Sequence, residues 1–356
     1  MDKTIKKLAI AAAVMVAVGL ILAGAGYAAG GNQPIRIDGN GIHVGGGWGD
    51  SSGKGDATVA SSGKQETFEE KLEHFTSIKT DMNLYPVELI AGDRYAIEGV
   101  YDTGLGKPEY TVEDGTLVIE ERNNTIFNVG MKPGINYGGK LGVKVYYPKG
   151  AELENVSIKA SAAELSFQGI TADSVEFEIS LGGLEVSDIS AKKIKVILGA
   201  GDCLLTGLKA DDLDITNQLG QTTLKETDVK TLKAKAFSGD MTLSNVTAEQ
   251  GTLALDLGKL SAENLKTQGL TAKNQSGDII LKGILQGDTD ITSSLGTVFV
   301  SPGASEDQFN YELKTSLGTV KAGGNESSSS MQVKNEAKNN IKISASLGDI
   351  EVQFAE

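Results

Sequence analysis

The sequence predicts an all-β chain: a single-stranded parallel β-solenoid of 19-residue rungs, preceded by one N-terminal transmembrane helix. Three observations carry this prediction. Ala163, Gly182, Gly201, Gly220, Gly239, Gly258, Gly277 and Gly296 are spaced by 19 residues without exception, the self-similarity of an array in which each unit supplies one layer. The composition, with 45 Gly, 6 Pro, 5% aromatic residues and abundant Thr, Val, Ile and Leu, favours many short strands over helices. Finally, Lys3, Lys6 and Lys7 precede a run from Leu8 to Ala29 that contains no charged residue.

That apolar run opens the first of four regions, residues 1–30. Its 22 residues would span about 33 Å as a helix, enough for a bilayer core of about 30 Å. Ala23-Gly24-Ala25 also has the small-x-small form of a signal-peptidase site, but the run exceeds the usual h-region of about 7–15 residues, which favours retention. The flanking lysines then place the N-terminus in the cytoplasm and the C-terminal bulk outside, as a single-pass protein of the cell membrane. No Cys lies directly after the run and no apolar tail closes the chain, so this helix is the one candidate anchor.

Residues 31–65 read as a Gly- and Ser-rich spacer with an average reach of about 30–35 Å. Within it Ile35-Arg36-Ile37 and Ile42-His43-Val44 alternate around Asp38-Gly39-Asn40-Gly41, a pattern compatible with a small hairpin. His43 and Trp48 belong to this stretch and read as residues of a solvated stalk. Residues 66–150 change to alternating strands, around Val87 and Leu89, Tyr95 and Ile97, Thr116 to Glu120 and Val143 to Tyr147, and read as a β-segment that leads into the solenoid and caps it.

Residues 151–356 hold the repeat. A second turn column follows each corner by six residues: Gly169, Asp188, Gly207, Glu226, Asn245, Asn264 and Gly283. Gly and Asn, which most readily adopt positive φ, fill five of these seven places. Between the corners run core columns beginning at Leu165, Phe167, Ile170, Val175 and Phe177, with Ile284 closing the third of them. Outward columns alternate in charge, Asp173-Lys192-Asp211-Lys230-Glu249 and Glu176-Lys195-Asp214-Lys233, which fixes register because stacked like charges are unfavourable. After Gly296 the equivalent glycines are Gly318 and Gly348, at intervals of 22 and 30, so the extra residues read as looped-out insertions near a C-terminal cap.

The units Ser180-Leu181-Gly182-Gly183-Leu184-Glu185-Val186, Ser294-Leu295-Gly296-Thr297-Val298 and Ser346-Leu347-Gly348-Asp349-Ile350-Glu351-Val352 resemble the bacterial putative-adhesin β-strand-repeat family of unknown function, itself similar in pattern to envelope-stress accessory proteins. The resemblance covers residues 66–356 and implies a membrane-anchored β-solenoid. It supplies no catalytic residues.

Charge and side-chain inventory narrow the function. The net charge is −14, with only three arginines, Arg36, Arg94 and Arg122, which disfavours nucleic acid as a partner. Residues 151–356 contain no His, Arg or Trp and one Tyr, Tyr311, so imidazole base chemistry and aromatic sugar platforms are missing there. Asp202, Asp240 and Asp278 share a column on alternate rungs, about 9.6 Å apart, a separation inverting hydrolases also use. The simpler expectation is that each Asp caps its own turn. Gly199-Ala200-Gly201-Asp202 resembles one unit of a calcium-binding nonapeptide, but the period is 19 and the fragment occurs once. Cys203 falls in a core column and reads as an inert thiol.

The expectation is therefore a non-enzymatic, membrane-anchored cell-surface protein, adhesin-like or an envelope scaffold or sensor. It would bind an envelope or surface component, protein or glycan, through a repetitive solenoid face, with no catalytic residue, cofactor or metal assigned. The alternatives are a polysaccharide-active β-helix enzyme and an accessory component of an envelope-stress signalling system.

Overall fold

The computed structural model describes residues 64–83, 85–121 and 141–355, and the backbone of two strands before them. Residues 1–58 and 59–356 form separate units. In the first, β1 (Ile35–Asp38) and β2 (Gly41–Val44) pair antiparallel with Asp38 opposite Gly41, the hairpin that the spacer's alternation allows. The apolar run Leu8–Ala29, Trp48 and Arg122 lie outside the described residues. Among the described residues no helix is long and apolar enough to cross a membrane.

The second unit starts with seven strands: β3 (Gln65–Lys71), β4 (Ser77–Met82), β5 (Val87–Gly92), β6 (Ala96–Asp102), β7 (Glu109–Glu113), β8 (Thr116–Glu120) and β9 (Gly142–Pro148). Four of them make a separate mixed sheet in the order β3-β6-β9-β5. The other three join the solenoid. β4 lies parallel to β8 on one side, and β7 folds back antiparallel on β8 through Asp114 and Gly115, both at positive φ.

The solenoid continues through β10 (Leu153–Ala162), β11 (Leu165–Gln168), β12 (Thr171–Leu181), β13 (Leu184–Ser187), β14 (Ser190–Ala200), β15 (Cys203–Thr206) and β16 (Lys209–Leu219). It then runs through β17 (Thr222–Ser238), β18 (Met241–Leu257), β19 (Leu260–Ser276), β20 (Ile279–Leu295) and β21 (Val298–Ser301). β10 is parallel to β4 on its other side, so the stack takes in two strands of the N-terminal segment. Every successive pair from β10 to β18 keeps the 19-residue register, as in Val175↔Ile194↔Leu213↔Leu232.

Burial alternates along each rung except at three bends, where consecutive residues face outward. Ser180-Leu181-Gly182-Gly183, Ser187-Asp188 and Asp173-Ser174 mark them in one rung. Each rung is thus three-sided, with a bend between Ala172 and Val175 added to the two corners that the glycine and asparagine columns predict. The enclosed core is aliphatic and nearly solvent-free: Leu184, Val186, Ile189, Ile194, Val196 and Leu198 are all buried in a single rung. Asn217 and Asn274 enter this core, and each turns its Nδ2 to a carbonyl of the corner beneath, Gly201 O at 3.2 Å and Gly258 O at 2.9 Å. Such pairing offsets the cost of a buried amide.

The first corner requires glycine twice over. From Gly182 to Gly348 the corner φ values lie between +119° and +152°. A Cβ at Gly239 would come within 2.1 Å of the carbonyl oxygen of Gly220 in the rung beneath. The second corner is a single left-handed residue, with φ from 49° to 71° at Gly169, Asp188, Gly207, Glu226, Asn245 and Asn264.

Two expectations are corrected here. Gly283 does not occupy that second corner. It pairs with Leu265, one residue short of the 19-residue register, and the register is recovered only at Gly269↔Asp288. The shift turns Ile284 out to 47% exposure and seats Leu285 in the core instead.

The last rungs are also out of chain order. They comprise β22 (Phe309–Leu317), β23 (Val320–Ala322), β24 (Asn325–Ser327), β25 (Ser330–Val333), β26 (Asn339–Leu347) and β27 (Ile350–Val352). β26 inserts between β20 and β22, parallel to both, and β27 likewise inserts between β21 and β23. Gly348 therefore stacks on Gly296, and Gly318 on Gly348. The long 30-residue interval is not a loop on a regular stack. It carries β24 and β25, which pair antiparallel on β23 and β22, and it is pinned by Asn335 Nδ2 on Phe309 O at 3.0 Å and Asn310 Nδ2 on Ala337 O at 2.8 Å.

Gly239→Ala is expected to lower stability by about 2–4 kcal/mol, since it adds both backbone strain and a clash with backbone that cannot move aside. Denaturant unfolding would measure it, and an unchanged midpoint would contradict the corner geometry. Glu226→Asn acts the other way, because it relieves a left-handed glutamate and places Asn beneath Asn245, which already accepts a 2.9 Å bond from Asn264. A gain of about 0.5–1 kcal/mol is expected in the same measurement.

Candidate binding surfaces

The corner carboxylates have a different task from the one their position suggests. Asp202 Oδ1 accepts the backbone N–H of Gln221 at 2.9 Å, Asp240 Oδ1 that of Lys259 at 2.8 Å, and Asp278 Oδ1 that of Thr297 at 2.8 Å. Each carboxylate bonds to the rung above rather than capping its own turn. Asp349 does the same to Thr319, taking both its N–H at 2.7 Å and its hydroxyl at 3.0 Å. These bonds hold the Asp349 carboxyl below its ordinary pKa.

In spatial order the column reads Asp202, Gln221, Asp240, Lys259, Asp278, Thr297, Asp349, Thr319. Acceptor and donor rungs alternate without a break, and the corner therefore repeats every two rungs. Two stacked carboxylates would repel each other and leave an N–H unserved. Among the described residues, no group of three or more His, Cys, Asp or Glu could hold a metal ion.

Charged columns line the outer walls in the predicted register. Lys192 reaches Asp173 at 2.8 Å, Lys195 reaches Glu176 at 2.8 Å, and Lys230 reaches Asp211 at 2.6 Å. Such exposed pairs are each worth about 0–1 kcal/mol, so they specify register more than they stabilise. Cys203 is buried between Leu184 and Thr222 in its column, and burial pushes its thiol up to about 12.

Two surface features escaped the sequence reading. Six of the exposed large apolar side chains, Leu181, Leu219, Leu257, Leu295, Leu347 and Leu317, belong to one column, with exposures from 41% to 66%. Ala200, Ser238 and Ser276 occupy the rungs between the first four. The signal was present in the Ser-Leu-Gly units, since the leucine always precedes a corner glycine, where the backbone turns outward. The second feature is a cleft of about 490 Å³ on the wall formed by β20, β26 and β22, lined by Thr292, Ser344, Ser346, Ser316, Lys314 and Ser330 among others. Its hydroxyl character follows from the Ser327–Ser330 run and from Ser316 and Ser346, which precede Leu317 and Leu347.

Aromatic rings concentrate in the N-terminal sheet region. Phe68 stacks on Tyr110 with centroids 5.5 Å apart, and Lys107 lies over both rings. Tyr146 donates to Glu98 at 2.5 Å beneath the Arg94 guanidinium, and that bond to a carboxylate pushes its hydroxyl up to about 12.

A model of the Toastrack DUF4097 family matches residues 75–218 and 198–353. Similar solved structures include a putative lipid binding protein from Parabacteroides distasonis, 14% identical, covering 82% of this chain and 98% of its own, at a TM-score of 0.42. A putative adhesin from Bacteroides fragilis is 14% identical over 82% of this chain and 97% of its own, at 0.31. One from Parabacteroides merdae is 16% identical over the same shares, at 0.34. No curated protein matches the chain.

Native protein is expected to leave Cys203 unlabelled by a maleimide that modifies the denatured chain within minutes, because the thiol is both enclosed and protonated. Thiol titration before and after denaturation checks this, and rapid native labelling would break the core register.

Proposed function

The chain belongs to the Toastrack DUF4097 family, and from that premise we propose that it is a non-enzymatic, membrane-anchored cell-surface protein. It binds an envelope component, protein or glycan, through its repetitive solenoid wall. The observation that carries this reading is the commitment of the corner carboxylates. Asp202, Asp240, Asp278 and Asp349 each accept a backbone N–H of the adjoining rung. A general acid or base must be free to exchange a proton with a bound substrate, whereas these four act as fixed acceptors that hold corners together.

Binding suits the remaining surface. The walls present in-register charged and hydroxyl side chains over the full stack, and the cleft beside Ser330 offers one concave place with many hydroxyl groups. Hydroxyls both donate and accept, as recognition of a polar envelope component demands. On this reading the solenoid lies outside the cell, with the lysine-flanked run Leu8–Ala29 as the anchor that keeps it there.

The test incubates purified protein with wall glycans and acidic polysaccharides and measures both retention and new reducing ends. Retention without product release is expected, and Asp202→Asn, Asp240→Asn and Asp278→Asn together should leave retention unchanged, because an amide oxygen still accepts the N–H. Turnover that vanishes in the triple variant would falsify the binding-only reading. On intact wall-stripped cells, added protease should digest the solenoid, and its full protection would reverse the orientation.

A further inference from the structure

We propose that the leucine edge is a self-association surface, on which a second copy of this chain packs about a two-fold axis parallel to the rung stack. The edge spans nine rungs from Leu181 to Leu317, about 38 Å at a rung spacing of about 4.8 Å. Six large apolar side chains exposed along one edge mark an interaction site. Its period selects the partner: a second solenoid has the same rung spacing, so every leucine meets a counterpart along the whole edge. Ala200, Ser238 and Ser276 leave room on alternate rungs for the facing leucines to spread.

Charge complementarity chooses between the two symmetric arrangements. The leucine column is flanked on one side by Asp202, Asp240, Lys259 and Asp278, and on the other by Gly199, Phe237, Asp256 and Gln275. An axis parallel to the stack exchanges the two sides at equal height. Lys259 then faces Asp256 of the second copy, Asp278 faces its Gln275, Asp240 its Phe237 and Asp202 its Gly199, so no like charges meet. An antiparallel arrangement would set the Asp202-Asp240-Asp278 column against itself, a repulsive juxtaposition. The same acidic flank disfavours an anionic lipid surface as the occupant. The parallel arrangement also brings both chains into the stack from the same end, which is compatible with anchoring in one membrane but does not depend on it.

The experiment follows the detergent-solubilised full-length chain by sedimentation, in a Cys203→Ala background for the cross-linking arm. A dimer is expected, and Leu219→Ser with Leu257→Ser and Leu295→Ser, all exposed positions, should convert it to monomer at the same concentration. Lys259→Asp should weaken the dimer roughly tenfold, and adding Asp256→Lys should restore it. With a short bis-maleimide, Ser238→Cys and Ser276→Cys should each cross-link to their own kind. Cross-linking only when those two variants are mixed would establish the antiparallel arrangement and overturn the proposal. So would a monomeric wild-type chain, or a dimer that persists undiminished in the leucine variant, which would assign association to another part of the chain. Glycan retention measured alongside on a Leu181→Ser and Leu219→Ser variant, several rungs from the Ser316 and Ser346 that line the cleft, separates loss of the dimer from failure of the binding function.

Discussion

The close approach of backbone at the first corner is the constraint on which the rest of the solenoid depends. The corner glycines stack so tightly that an added Cβ would lie 2.0 to 2.3 Å from the carbonyl oxygen beneath. At that distance the N–H groups pair from rung to rung, as in Gly201 N to Leu219 O at 2.8 Å and Gly239 N to Leu257 O at 3.0 Å. One side chain in this column would lift a rung at its edge and break the ladder on either side. Because it stays bare from Gly182 to Gly348, equivalent residues of neighbouring rungs remain in register, and the other columns inherit that alignment except at the slip around Gly283. Core aliphatics, alternating charges, carboxylate-to-backbone bonds and the leucine edge are consequences of one spacing.

A parallel stack leaves two open ends, and unpaired strand edges invite further pairing. Both ends here depart from chain order in the same way. β4 sits between β8 and β10, and β26 sits between β20 and β22, so at each end an interior rung comes from beyond its neighbours in sequence. The outermost strands β7, β24 and β25 are antiparallel, which interrupts the template that an incoming parallel strand would need. The C-terminal rung is thereby held on both faces, and fraying there requires breaking two ladders rather than one.

The regular part of this fold was legible because its cause is local and repeated. A 19-residue glycine column, a second column of Gly and Asn, and period-2 apolar pairs translate directly into corners and walls. What escaped were departures that no local pattern encodes. Gly283 looks like a corner residue, but a local one-residue slip, made up again before Asp288, moved it to a wall and expelled Ile284. The exchange of the last two rungs depends on which strand fills the gap above Gly296, a tertiary choice. Its one sequence trace lies in the corner column, where chain order gives Asp278, Thr297, Thr319, Asp349 and breaks the alternation that spatial order restores. The site was less legible than the fold, because the Asp column showed its position but not its hydrogen-bond partner, and the leucines were visible only as part of a motif.

A straight array also limits what such a chain can do. Each column places its side chains along a line, at intervals set by the ladder. Catalytic sites gather unlike groups from different elements around one reacting atom, and rung-to-rung translation works against that convergence. It favours instead the repeated presentation of similar groups, which provides area and register but little discrimination between ligands. Discrimination must come from places where the translation fails. In this chain those are the N-terminal mixed sheet with its clustered rings, and the C-terminal exchange of rungs, where β25 folds against β22 and the hydroxyl cleft opens beside it. The same irregularities that close the ends of the stack are thus the ones able to give its surface a preference for one partner over another.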